Sequence, residues 1–283
     1  MSLTVIGATG HLGRLVVEHL LARGVAPAEV TATGRAVERL DDLAEQGVRV
    51  LRTDLDDDAQ VAAAVAGAER VLLVSGNEPS RVEQHRRVVD AAVAAGVQHL
   101  VYTSGPHATT STVQLLADHA TTERLLAESG LETTMLRNAW YVENYTAQVD
   151  TYRAHGMVGA ARDGLVSVAP RSEYAEAAAV VLTTDGHGGA VYELGGEAVT
   201  LPQVAAAVSR AVGEQIGYTD VPVDALREVL AGAGVPAPMD AVLADVDRGI
   251  ADGELQVPTA DLEKLLGRPA TGLDDAVSAA LRG

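Results

Sequence analysis

An α/β fold, a doubly wound parallel sheet followed by a smaller, mostly helical C-terminal substrate cap, is what the sequence predicts, and three observations predict it. An apolar run, Leu3 to Ile6, passes straight into Gly7, Gly10 and Gly13, after which Leu12, Leu15, Val16, His19 and Leu20 recur at helical spacing. Strand-like and helix-like segments then alternate over about 140 residues, the pattern of a parallel sheet wound with helices. Beyond Asn138 that alternation loosens, and Pro222, Pro236, Pro238, Pro258 and Pro269 mark the turns of the tail.

Taken in order, the predicted strands are Leu3–Ile6, Val30–Thr33, Val48–Leu51, Arg70–Val74, His99–Thr103 and Glu132–Leu136. Helices are predicted over His11–Arg23, Ala36–Gln46, Ala59–Val65, Arg81–Ala95 and Val113–Ser129. Gly24, Gly47, Gly67, Gly96 and Gly130 end them, supplying the left-handed residue at which a helix stops. Next come a helical piece Ala139–Ala154, a stretch Val158–Val168, a helix Glu173–Leu182 and a strand Ala190–Leu194 able to rejoin the main sheet. Leu201–Val212 reads as helix and Ile216–Val221 as strand; helices follow near Asp224–Ala231, Met239–Ala251, Thr259–Leu266 and Asp274–Leu281. The expected division is a cofactor domain of residues 1–138, rejoined by 173–196, and a cap of 139–172 and 197–283.

Composition removes several function classes. With a net charge of −18 and a single lysine, Lys264, the chain lacks the clustered cations that nucleic-acid binding requires. The absence of cysteine excludes disulfides, thiolate catalysis and Cys-ligated metal, and no metal site is expected. No apolar run approaches the ~20 residues of a membrane span, and Met1 leads directly into a strand. A cytoplasmic protein without membrane contact is the expectation, and a homodimer is compatible with it.

The glycine turn has a physical use. Glycines let the backbone turn tightly beside a pyrophosphate, whose charge then rests on the free N–H groups and positive dipole of the following helix. Gly7, Thr9, Gly10, His11, Leu12 and Gly13 are therefore expected to bind a dinucleotide, with the G-x-x-G-x-x-G spacing of short-chain dehydrogenases. At the end of the second strand, where a carboxylate would favour NAD, stands Arg35, whose guanidinium suits the 2′-phosphate of NADPH. Asp54 and Leu55 follow the third strand, positioned for adenine; the competing reading makes Asp54 or Asp56 a helix cap. Ser75 and Gly76 end the fourth strand and Thr103 and Ser104 the fifth, placing them on the nicotinamide side.

The usual Tyr-x-x-x-Lys acid pair is missing, since Ala260 stands four residues before the only lysine. His107 and His119 are candidate proton donors, against a structural role for each, and Asn138 a candidate catalytic amide. With no Phe and one Trp in the chain, Trp140, Tyr141, Tyr145 and Tyr152 fall close together. With Asn138, the rings of Trp140, Tyr141 and Tyr145 are expected to bind a flat substrate, or else to plug a hydrophobic interface.

Five stretches, Gly7–Gly13, Gln84–Arg86, Tyr102–Ser104, Leu136–Tyr145 and Val191–Gly196, together resemble the NmrA-like atypical short-chain dehydrogenases, and among them the bacterial enzymes that reduce quinones. The run Leu136-Arg137-Asn138-Ala139-Trp140-Tyr141-Val142-Glu143-Asn144-Tyr145 is the most specific of these, and the similarity reaches Ala244-Asp245 and Leu265-Leu266-Gly267. The resemblance implies NADPH binding and direct hydride transfer to a quinone without flavin. One departure is Arg124, where the quinone-reducing branch carries lysine; the charge is kept. A quinone, as a strong hydride acceptor, makes the missing Tyr–Lys pair tolerable. Two alternatives stand beside this reading: a non-catalytic NADP-binding redox sensor, and a reductase tailoring aromatic polyketide quinones.

Overall fold

The structure, a computed structural model, describes residues 1–282. Its chain runs β1 (Leu3–Ile6), α1 (His11–Ala22), β2 (Val30–Gly34), α2 (Asp41–Glu45), β3 (Arg49–Arg52), α3 (Asp58–Val65), β4 (Arg70–Leu73), α4 (Arg81–Ala95), β5 (His99–Ser104), α5 (Gln114–Glu128) and β6 (Glu132–Asn138). It continues with β7 (Trp140–Tyr141), α6 (Glu143–Thr146), α7 (Val149–His155), β8 (Met157–Gly159), β9 (Val166–Ala169), α8 (Arg171–Thr183), β10 (Val191–Leu194), β11 (Glu197–Val199) and α9 (Leu201–Val212). Last come β12 (Tyr218–Asp220), α10 (Val223–Gly232), α11 (Met239–Ala251), α12 (Ala260–Leu266) and α13 (Leu273–Ala280).

Two compact units share this chain, and six segments alternate between them. The first comprises Met1–Ser104, Asp118–Arg137 and Ser172–Tyr192. Its seven-stranded sheet has the order β10-β6-β5-β4-β1-β2-β3, with β1 to β6 paired in parallel. Read from β3 to β6, that is the 3-2-1-4-5-6 order of a Rossmann fold, whose strand order reverses beside β1. The predicted return of Ala190–Leu194 to the main sheet is observed, as edge strand β10 next to β6. Apolar runs make the central strands β1, β4 and β5, buried on both faces as in parallel sheets, whereas the edge strand β3 keeps Arg49 and Arg52 exposed. Ile6, Val71, Leu73, Leu100 and Tyr102 meet Val61, Val65, Val88, Ala92 and Leu126 of the covering helices in one core cluster. The predicted helix Ala36–Gln46 is instead a 3₁₀ turn, Val37–Leu40, followed by the short α2.

The second unit comprises Gly105–Ala117, Asn138–Arg171 and Glu193–Gly283. It holds two small sheets, β11-β9-β7 and β12-β8, so the tail is less purely helical than its sequence suggests. Trp140–Tyr141, expected within a helix, pairs in parallel with Val168–Ala169 as a two-residue strand, and helix begins only at Glu143. The best-defined helix is α9: Thr200 and Gln203 form a reciprocal capping box, Pro202 sits in its first turn and Gly213 ends it in the left-handed region. Val204, Ala205, Ala207 and Val208 of that helix enter a core with Val149, Val166, Val168, Val246, Ile250 and Val277. Among the described residues no helix is long and apolar enough to cross a membrane.

Candidate cofactor and substrate residues

The chain leaves β1 through Gly7, whose φ of 88° is open to glycine at little cost. The N–H groups of Gly7 and Ala8 both donate to the Thr33 carbonyl, at 3.1 and 2.8 Å, and Gly10 N–H donates to Gly7 at 3.1 Å, fixing the turn. A Cβ on Gly13 would come within 2.8 Å of Ala8 Cα, so α1 lies against the turn only because that residue is glycine. Gly34 has the same reason: its Cβ would stand 2.9 Å from that of Thr9. At the start of α1, Gly10 supplies no side-chain cap and the first turn carries no acidic residue. The opening N–H groups of this helix, with the dipole behind them, are suited to an anion. Glycine turn, uncapped helix and a cation beyond the next strand thus fit a dinucleotide.

That cation is Arg35, which is exposed and donates from Nη2 to Glu78 Oε1 at 2.5 Å. Its carbonyl accepts from Arg52 Nη1 at 2.7 Å. After β3, Asp57 caps α3 by accepting from the N–H groups of Ala59 and Gln60, and the expectation of a cap at Asp54 or Asp56 is corrected accordingly. In the acidic run, Asp57 alone stands one residue before Asp58, where the N-cap geometry requires it. Asp54 instead accepts the Asp56 N–H at 3.1 Å, while Leu55 packs against the core cluster below.

Ser75 and Thr103 are brought together: Ser75 N–H donates to Thr103 Oγ1 at 2.9 Å, which in turn donates to Ser75 Oγ at 3.4 Å. Gly76 lies in open space, so nothing steric requires a glycine there. Ser104 Oγ donates to Glu123 Oε1 at 2.6 Å, and Arg137 holds both oxygens of that carboxylate. His119 is buried, its Nδ1 bonded to the Tyr102 hydroxyl at 2.8 Å. Burial pulls its pKa down to about 3, so the imidazole is neutral near pH 7 and serves poorly as an acid. His85 stands beside it, bonded to Thr122 and lowered to about 4 by the same cause.

In the second unit, Asn138 donates from Nδ2 to the Tyr141 hydroxyl at 3.3 Å, and its buried Oδ1 has no hydrogen-bond partner among the described residues. The Arg171 guanidinium lies 5.0 Å from the centre of the Tyr141 ring, and the Arg171 N–H donates to both oxygens of Glu143. Trp140 and Tyr152 pack against the core, and Tyr145 is part of it. The Tyr145 hydroxyl is buried without a partner among the described residues, and desolvation raises its pKa well above the ordinary value. Nearby Asp247 accepts the Ala160 N–H at 2.7 Å and is pushed up by burial to about 6. His107 has a left-handed φ of 49°. Its N–H is shared by the two Glu193 oxygens, each at 3.2 Å. Nε2 lies 3.0 Å from the Gln256 carbonyl, which can only accept, so this nitrogen carries the proton and Nδ1 faces Glu193 at 3.7 Å. Two clefts of this unit, of about 420 and 480 Å³, are lined by Asp150 and Arg153 and by Gln203 and Arg210, and hold none of the predicted residues.

Sequence reasoning passed over Glu78 and Glu123, the partners of Arg35 and Ser104, because each lies tens of residues away on another element. Glu123 alone left a trace: of the three carboxylates of α5 it is the one that falls in line with Leu116, His119 and Leu126 on the buried side.

The model of the NmrA-like family matches residues 1–273. Quinone oxidoreductase 2 of Escherichia coli strain K12 is 40% identical over 279 residues, covering 98% of this chain and 97% of that protein. The crystal structure of an E. coli NADPH-dependent quinone oxidoreductase complexed with NADPH superimposes with a TM-score of 0.93 at 41% identity, over 98% of this chain and 99% of that one. A Citrobacter triphenylmethane reductase complexed with NADP(H) matches with a TM-score of 0.91 at 34% identity, over 99% and 100%.

Proposed function

The chain belongs to the NmrA-like family, and on that premise we propose that it is an NADPH-dependent quinone reductase that works without flavin. The observation carrying this reading is the uncapped glycine turn followed by Arg35, in a chain alike over nearly its whole length to an NADPH-dependent quinone oxidoreductase. NADPH, when bound, supplies the hydride that reduces the quinone. Gly7 and Gly10 would shape the turn, Thr9 would lie beside it, and the opening N–H groups of α1 at His11, Leu12 and Gly13 would hold the pyrophosphate, with Arg35 on the 2′-phosphate. Asp54 and Leu55 serve the adenine. Ser75, Gly76, Thr103 and Ser104 line the nicotinamide side, the last fixed in direction by Glu123.

Asn138, Trp140, Tyr141 and Tyr145 are assigned to the acceptor. The unpaired Asn138 Oδ1 supports this for the amide, since a buried acceptor left without a donor costs about 1–3 kcal/mol, which a donor on a bound ligand would relieve. Trp140, half-buried beside the core, can present its ring as a wall, whereas Tyr145 is buried within the core and would shape that wall from behind. Positioning the acceptor is the main task left to the protein, because the reduced oxygens take protons readily from water.

The test is to mix the purified protein with NADPH and a panel of quinones, with no flavin added, and to follow absorbance at the nicotinamide band. Quinone-dependent loss of that band is expected. Tight NADPH binding with no quinone-dependent loss would overturn the enzyme reading in favour of a redox sensor.

A further inference from the structure

Arg35 follows β2 and Glu78 follows β4, and these are the two strands that flank β1 in the sheet. Arg35 comes directly after β2, and Glu78 stands in the loop between β4 and α4; the carboxyl ends of those strands are about 10 Å apart by the ordinary strand spacing, with the glycine turn of β1 between them. Their ion pair, 2.5 Å from Nη2 to Oε1, therefore spans the turn from one side to the other. Glu78 is not carried there on a loose loop. At one end Ser75 is tied to Thr103. At the other, the largely buried Arg81 side chain bonds Asp118 at 2.8 Å and the Gly76 carbonyl at 3.4 Å, and its N–H donates to the Glu78 carbonyl at 3.0 Å.

We propose that Glu78 sets the coenzyme preference by competing with the 2′-phosphate for Arg35. This rests on the reading of Arg35 given above. In the free protein the carboxylate takes Nη2 of Arg35, and a 2′-phosphate docking on the same guanidinium would stand close to that carboxylate, so that the two anions repel. NADPH would dock against that repulsion, whereas NADH leaves the pair intact and has a 2′-hydroxyl that can donate to a carboxylate. Glu78 thus narrows the advantage of NADPH over NADH that Arg35 alone would give.

The experiment is calorimetric titration of NADPH and of NADH into the full-length wild type, Glu78→Gln, Arg35→Ala and the double variant. Glu78→Gln is expected to tighten NADPH by about two- to fivefold, the worth of an exposed ion pair, and to leave NADH unchanged or weaker. Arg35→Ala is expected to weaken NADPH by at least about tenfold, and Glu78→Gln to bring no gain in that background. A merely structural role for Glu78 would not tighten one coenzyme alone. An unchanged or weaker NADPH affinity in Glu78→Gln, with Arg35→Ala still impaired, would overturn the role of Glu78 and spare that of Arg35. Unimpaired NADPH binding by Arg35→Ala, or none by the wild type, would overturn both.

Discussion

Arg137 holds Glu123 through two parallel hydrogen bonds, Nε to Oε1 at 2.9 Å and Nη2 to Oε2 at 2.6 Å. Both side chains are largely out of water, and Ser104 donates to the same carboxylate. Removing one member leaves the other buried and uncompensated. Arg137→Met should therefore cost about 3–5 kcal/mol of stability, measured by urea unfolding, while Glu123→Leu combined with Arg137→Met should recover most of it. A double variant no more stable than the single one would mean that the pair is not the source of the loss.

Gly13 and Gly10 of the turn should separate folding from cofactor binding. At Gly13 a new Cβ meets the Ala8 backbone at 2.8 Å, so Gly13→Ala should lower stability by about 1–3 kcal/mol through overpacking. At Gly10 the new atom comes only within 3.4 Å of the Gly7 carbonyl. Gly10→Ala should keep the melting temperature within a few degrees yet weaken NADPH, because the methyl stands where the pyrophosphate must approach. Thermal melts and titrations of both variants check this.

His85 and His119 make the fold acid-sensitive. Their folded pKa values, about 4 and about 3, lie below the 6.5 of an unfolded histidine because burial disfavours the charged ring. Below pH 6.5 the unfolded chain binds more protons than the folded one, so this contribution falls with pH, by up to about 1.4 kcal/mol per unit for each ring, and is whole above pH 6.5. Asp247, raised to about 6, acts in the opposite sense between its unfolded pKa and that value. The comparison to make is therefore between proteins: urea unfolding at pH 7.5 and pH 5 should show a smaller acid loss in His119→Gln than in the wild type.

Tyr145→Phe removes a buried hydroxyl that lacks a partner among the described residues. The variant should be as stable as the wild type or up to about 1 kcal/mol more stable. On the proposed reading its KM for quinone should stay within about twofold, because the ring and its packing are kept. A large rise in KM with normal stability would transfer the hydroxyl from the core to the substrate.

What could be read along the chain was whatever local pattern determines. Alternating strands and helices, punctuated by glycine, foretold the parallel sheet and the return of β10 to it. Trp140 and Tyr141 were misread because their strand partners, Val168 and Ala169, lie 28 residues on, beyond the reach of any helical or strand period. The cap at Asp57 was hidden in a run of carboxylates that all favour a helix start, and backbone geometry chose among them. The same reach limits the site. Arg35 could be singled out by its place after the second strand, but its partner Glu78 is 43 residues away and enters only through the order of strands in the sheet.

The six alternating segments of the two units mean that the backbone passes from one to the other five times, at Ser104, Ala117, Arg137, Arg171 and Tyr192. No single cut in the gene releases either unit whole. A truncation at residue 138 would strip the first unit of most of α8 and of the edge strand beginning at Val191, and with them the anchors that Arg70 finds at Leu182, Thr184 and Asp185. Neither unit can therefore be exchanged as a single cassette.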